Sequence, residues 1–248
     1  DILLNQEPYC HNGIPSLTPI NYTPFYNPSN TIPRACIYIK SDIAHNFTLI
    51  HSFSTPDDVV IAPSTNPTLD ISSSYLPPYD TLSKYLQPFE DFLTSLNPTN
   101  LIWGLDSNCK HQMWYSPITD SRGRSLVEFL STHSLTTANE KDGHTFSGPQ
   151  GESWIDITVT SKNMAHRIHN WLVSEEETHS DHNLITFELV NHNSITNVIR
   201  KDSNNTRKYA TQVGNWTLFQ NQIRQRSKQW LLEVNNATEK IQLDETIS

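Results

Sequence analysis

The chain has 248 residues, of which 35% are hydrophobic, and a formal net charge of −9. That length suits one large α/β domain or two small ones, with a lean core. The charge is uneven: residues 1–199 carry 9 Lys and Arg against 21 Asp and Glu, and residues 200–248 carry 8 against 5. An acidic body argues against tight non-specific DNA binding, which needs cations to neutralise phosphates. It fits carboxylates gathered around a metal ion. Cys10, Cys36 and Cys109 lie far apart with no C-x-x-C spacing, so neither a zinc site nor a disulfide framework is suggested. Reduced, intracellular thiols are the default. No apolar run reaches membrane-spanning length, so no membrane partner is expected.

In chain order, Ile2–Leu4 reads as a short strand already under way at Asp1. Residues 11–34 are loop-like, punctuated by Pro15, Pro19, Pro24, Pro28 and Pro33. Ala35–Ile39, Thr48–Phe53, Val59–Ala62 and Leu69–Leu76 read as strands. Leu82, Tyr85, Leu86, Phe89, Leu93 and Leu96 keep helical spacing, with Pro88 inside, so a kink or two short helices are expected. Leu101–Leu105 is a buried strand. A helix follows around Leu126, Phe129 and Leu130, capped by Asp120 or Ser121. Trp154–Val159, Ile168–Val173 and Leu184–Val190 complete the strands. Many short strands with few helices predict an α+β, two-sheet sandwich flanked by helices. Residues 191–212 read as a polar linker, and Trp216, Phe219, Ile223, Trp230 and Leu231 suggest a further amphipathic helix.

Polar residues cluster at the strand ends, where such folds place their sites. Glu7 follows the first strand; alone it reads as an exposed acid. Tyr75 precedes Leu76-Pro77-Pro78 and alone reads as an aromatic packed at a turn. Asp106 and Asn108 stand two apart beyond a buried strand, which points both to one side. One can take a proton from water while the other fixes an oxygen, though an Asx turn is a rival reading. His111 and Trp114 follow, either lining a groove or sitting as a loop His and a half-buried Trp. Asp156 lies in a β-branched strand, where an acid is costly without a partner. His182 is the natural candidate, because a carboxylate fixes an imidazole's tautomer and supports its cation. Asp181-His182 opens the last strand, and that pair can bind a metal, orient a phosphate or move a proton.

The ordered set Glu7, Tyr75, Asp106-x-Asn108, Asp156 and Asp181-His182 resembles the endonuclease/exonuclease/phosphatase superfamily, and within it the endonuclease domains of non-LTR retrotransposons. Arg122-Gly123-Arg124-Ser125-Leu126, Ser153 through Ser161 and Asn215-Trp216-Thr217-Leu218-Phe219 carry the likeness further. The superfamily pattern often reads Gly-Asp-x-Asn; here Leu105 intervenes between Gly104 and Asp106. The resemblance implies a four-layer α/β/β/α sandwich over residues 1–190, its first strand and helix preceding Asp1, and a connector at 213–248 towards a reverse transcriptase. It implies Mg²⁺-dependent (or Mn²⁺-dependent) nicking of DNA, in the nucleus, leaving a 3′-hydroxyl primer. Glu7 and Asp181 would hold the metal, and Tyr75, Asp106, Asn108, Asp156 and His182 would be catalytic. His111, Trp114 and Ser153 would contact DNA. Two rivals are a phosphatase or phosphodiesterase of the same superfamily and an inactive, decayed copy.

Overall fold

Two sheets form because two sets of strands each offer an apolar face to the other. The computed structural model describes residues 2–64, 69–149, 151–174 and 176–190, all within the unit Asp1–Ser194. The expected linker at 191–212 and the connector at 213–248 lie outside the described residues. In chain order the elements are β1 (Ile2–Gln6), β2 (Cys10–His11), β3 (Ile14–Pro15), β4 (Tyr22–Phe25), β5 (Ala35–Lys40), α1 (Ser41–Ala44), β6 (Phe47–Leu49), β7 (Asp58–Pro63) and β8 (Asp70–Tyr75). Then come α2 (Leu82–Leu96), β9 (Leu101–Asp106), α3 (Ser121–Thr132), β10 (Leu135–Thr137), β11 (Phe146–Gly148), β12 (Gly151–Ser153), β13 (Asp156–Ser161), β14 (Ile168–Val173) and β15 (Ile185–Leu189).

The smaller sheet has the order β1-β5-β4 and the larger β10-β13-β9-β8-β7-β6. Hairpins β2-β3, β11-β12 and β14-β15 stand beside them. Within the larger sheet β8 and β9 run parallel, so the chain crosses over between them through α2. Between the sheets, Ala35, Ile37 and Ile39 of β5 pack with Val59, Ile61 and Ile71, joined by Ile2, Leu4 and Phe25. On the larger sheet's other face, Trp103, Leu105, Ile157 and Val159 pack against Phe89 and Phe92 of α2 and Leu126 and Leu130 of α3. Among the described residues the order is therefore sheet, sheet, helices. Among the described residues, the helix beside the smaller sheet is the four-residue α1. The expected fourth layer is not seen among them.

Several sequence expectations shift for identifiable reasons. Residues 22–25 form a strand despite Pro24, which is tolerated because β4 is a sheet edge. The strand expected over Thr48–Phe53 ends at Leu49, and His51–Phe53 turn into a 3₁₀ helix that sets Phe53 against Phe92, ring centroids 5.8 Å apart. α2 stays one helix through Pro88. Its buried stripe runs on both sides of the proline, and Phe89 stacks on Trp103 at 3.7 Å. The strand expected from Trp154 begins at Asp156, because Thr145 Oγ1 takes the N–H groups of both Ile155 and Asp156.

Two contacts carry β1 to the site. A Cβ on Gly104 would lie 2.6 Å from Leu4 Cδ1 and 3.3 Å from Leu4 Cβ, so β1 packs its Leu4 side chain directly on this glycine of β9. Gln6 Nε2 then donates to Ser73 Oγ at 2.8 Å, tying the end of β1 across to β8. Among the described residues β1 has one strand neighbour, β5. Its other side opens on a cleft of about 340 Å³, bounded opposite by Leu184, Ile185 and Phe187.

Candidate active site

The cleft ends in a polar floor built by strand register. Asp156 of β13 pairs with Asp106 of β9, which pairs in turn with Tyr75 of β8. Three functional side chains thus stand in a row at the ends of adjacent strands. His182 arrives from the loop before β15, bridged to Phe146 of β11. The Phe146 ring meets the imidazole edge-on at 4.9 Å. His182 Nδ1 lies 3.0 Å from both carboxylate oxygens of Asp156, and Nε2 lies 3.8 Å from Asp106 Oδ2. Asp156 therefore orients the ring and leaves Nε2 facing Asp106 and the cleft. Glu7 follows β1 with φ 51°, and Asn108 has φ 47°. Both are non-glycine residues in the left-handed region, a strained conformation of the kind that collects at functional sites. The Asn108 N–H donates to Asp106 Oδ1 at 3.3 Å, and Asn108 Nδ2 donates to the Leu76 carbonyl.

Crowded acids set the electrostatics. Burial, then the Asp156 charge and more weakly that of Glu7, push the Asp106 carboxyl up to about 7, against His182 and the Asn108 N–H. For His182, burial acts downward. The Asp156 hydrogen bond and the charges of Asp156, Asp106 and Glu7 outweigh it and push the imidazole up to about 9. Burial, and then the Glu7 charge, raise the Tyr75 hydroxyl. This site holds more negative charge than His182 alone offsets. Ligand atoms of Asp106, Asp156 and His182 lie within 4.8 Å of one another. Carboxylate oxygens so placed fit a hard divalent cation.

The sequence-predicted residues divide. Glu7, Asp106, Asp156 and His182 line one cleft, with Tyr75 beside Asp106 in strand register and Asn108 bonded to Asp106. Asp181 is exposed and is not among the cleft's lining residues; its carbonyl accepts the Ser147 N–H, fixing the loop to β11. Ser153 stands on β12, outside that lining. Trp114 departs from expectation. It is 1% exposed inside the helix-side core, with Nε1 donating to the Cys109 carbonyl, so it has no face to offer a groove. His111 accepts the Met113 N–H at Nδ1, capping a short 3₁₀ turn. Sequence reasoning missed Thr145 and Asn139. Both are buried and hold the backbone around Asp156, Thr145 through its N–H and Asn139 through its carbonyl. A lone Thr or Asn in a polar loop carries no periodic signal.

Comparison with known proteins follows this geometry. Residues 69–186, which hold Tyr75, Asp106, Asn108, Asp156 and His182, match the endonuclease–reverse transcriptase family. Over that stretch the chain is similar to endonuclease domains in sequence, and its fold is similar to theirs. It is 31% identical over 100 residues to the retrovirus-related Pol polyprotein of the type-1 retrotransposable element R1 of Bradysia coprophila, covering 37% of this chain and 10% of that protein. The chain thus spans about a tenth of that relative's length. The endonuclease domain of TRAS1, a telomere-specific non-LTR retrotransposon, superposes with a TM-score of 0.65 at 28% identity, over 77% of this chain and 86% of that one. An AP endonuclease of Leishmania major shares the fold at a TM-score of 0.53 and 11% identity, over 69% and 71% of the two chains. No helix among the described residues is long and apolar enough to cross a membrane.

Proposed function

We propose that this domain is a metal-dependent endonuclease that hydrolyses a DNA phosphodiester, nicking target DNA and leaving a 3′-hydroxyl for a reverse transcriptase of the same polyprotein. The observation that carries the reading is the Asp156–His182–Asp106 row at the cleft floor, set within a retrotransposon-type endonuclease fold. Residues 1–190 form the nuclease, and 191–212 and 213–248 lead towards the next domain. Glu7, which lines the cleft beside Asp106, is the proposed ligand for Mg²⁺, which Mn²⁺ can replace; the Asp181 carboxylate expected to join it lies outside that lining. When bound, the ion neutralises charge on the scissile phosphate and the leaving oxygen.

The chain's own residues supply the rest. Asp106 accepts the proton of the attacking water, and Asn108 orients that water; such general-base help is worth about 10²–10⁴-fold. His182, held through Nδ1 by Asp156, donates from Nε2 to a phosphate oxygen and stabilises the charge that develops there. The Tyr75 hydroxyl adds a further phosphate contact. Incubating the chain with supercoiled plasmid, with Mg²⁺ and with chelator, tests the proposal. Open-circular product is expected only with Mg²⁺. Release of phosphate from monoesters or phosphoinositides without nicking would favour a phosphatase instead.

A further inference from the structure

Arg34 belongs to no motif, yet it sits in a run of contacts that links two site residues. The Glu7 N–H donates to the Arg34 carbonyl at 2.8 Å. Arg34 Nε pairs with Asp57 Oδ1 at 2.5 Å. The Asp57 carbonyl accepts the Tyr75 N–H at 2.9 Å. The Tyr75 hydroxyl is raised by burial and by the nearby Glu7 charge, so the two side chains feel one another. The Arg34 guanidinium lies over the Tyr75 ring, 5.0 Å from the centroid. The Arg34 and Ala35 N–H groups both donate to the Pro56 carbonyl, so the strand start that carries Arg34 is fastened to the loop that carries Asp57.

We propose that the Arg34–Asp57 pair is a positioning unit that holds Tyr75 and Glu7 at a fixed separation for the reaction. The proposal rests on the nuclease reading above. Glu7 lies just past the end of a strand, exposed and in a left-handed conformation, so its own element constrains it weakly. Tyr75 ends β8, buried, with the Arg34 guanidinium over its ring. A planar guanidinium satisfies both demands: its Nε edge takes the Asp57 carboxylate while its face covers the ring. An ammonium at this position would lack both the fork and the flat face.

The test uses Arg34→Met, which keeps an apolar stem over the ring, and Asp57→Asn, which keeps the loop's shape. Arg34→Lys serves as the charge-preserving comparison. Each variant is expected to lower kcat for plasmid nicking about tenfold or more, as loosely held reacting groups do. KM for DNA should stay within about twofold, because no binding contact is removed. In a Tyr75→Ala background the Arg34→Met effect should vanish. A raised KM with unchanged kcat would make Arg34 a direct DNA contact and overturn the proposal. So would the full Arg34→Met effect persisting without Tyr75. If the wild-type chain nicks no DNA, the nuclease reading fails, and a second readout still decides this one. In tyrosine-labelled protein, the Tyr75 ring resonance, identified by its loss in Tyr75→Phe, should be exchange-broadened in both Arg34→Met and Asp57→Asn. A sharp line at the wild-type width in both variants would show that the pair does not hold Tyr75.

Discussion

His182 and Asp106 act in opposite protonation states in the proposed chemistry, and their surroundings set a pH window for it. Asp106 must be ionised to accept a proton, so activity should rise as pH passes about 7. His182 must be protonated to donate, so activity should fall as pH passes about 9. A bell-shaped kcat/KM profile between those limbs is expected, and a bound cation would draw the acidic limb lower. Asp156→Asn leaves His182 without its charged partner and should lower the alkaline limb, which stopped assays across pH would read. Asp58 makes a different prediction, about stability. Burial pushes its carboxyl up to about 7, against hydrogen bonds from Ser74 and Thr55. Between about pH 4 and 7 the folded state therefore holds a proton that the unfolded chain releases, and stability falls as pH rises through that interval. Asp58→Asn removes this slope, so the variant should gain melting temperature relative to wild type between pH 5 and 8; parallel curves would contradict it. Much of the site is legible at this scale. Asp156 needed a partner, and His182 is that partner. Trp114 was misread because a Trp near polar residues looks the same whether its ring lines a groove or fills a core.

Elements hold these residues in place through close approaches that the sequence marks with glycine. Gly123 opens α3 against the loop after Asn108: a Cβ there would lie 2.1 Å from the Lys110 carbonyl oxygen. Asp120 Oδ1 caps the same glycine's N–H, so the helix start and the loop are fixed together. Gly123→Ala should force them apart and destabilise the fold by about 1–3 kcal/mol, the usual cost of overpacking. Denaturant melts would show this, with lost activity following from a displaced Asn108. The strong strands and both long helices were legible from periodicity, since Ile37, Trp103 and Phe89 face one core or another. Short elements were not. β10, β11 and β12 have three residues each, too few for any period to register. β4 was hidden by Pro24, which reads as a loop signal until the sheet edge is known. The end of β13 nearest the site was misplaced because side-chain hydrogen bonds from Thr145, not pattern, decide where the ladder starts.

At the scale of the whole molecule, the proposed reaction brings an acidic domain to an acidic polymer, and the metal is the proposed answer. If Glu7 holds Mg²⁺, the ion should stabilise the fold by about 2.7 kcal/mol at a hundredfold excess over its Kd. Glu7→Gln should abolish that rise in melting temperature, and Asp181→Asn, outside the cleft's lining, should leave it unchanged. An unchanged rise in Glu7→Gln would move the ion elsewhere. The fold class was legible in the order of strands and the spacing of polar residues at their ends; the three-layer arrangement of the described residues was not, because layers depend on which faces meet. The central claim is that the Asp106–Asp156–His182 floor performs DNA hydrolysis. The most direct measurement is the initial rate of supercoiled plasmid nicking with Mg²⁺ by wild type, Asp106→Asn and His182→Ala, each verified as folded by its melt. The account predicts rates about 10²-fold or more below wild type in both variants, with the wild-type nick extendable by a polymerase from its 3′-hydroxyl. Equal nicking by all three folded proteins would contradict it.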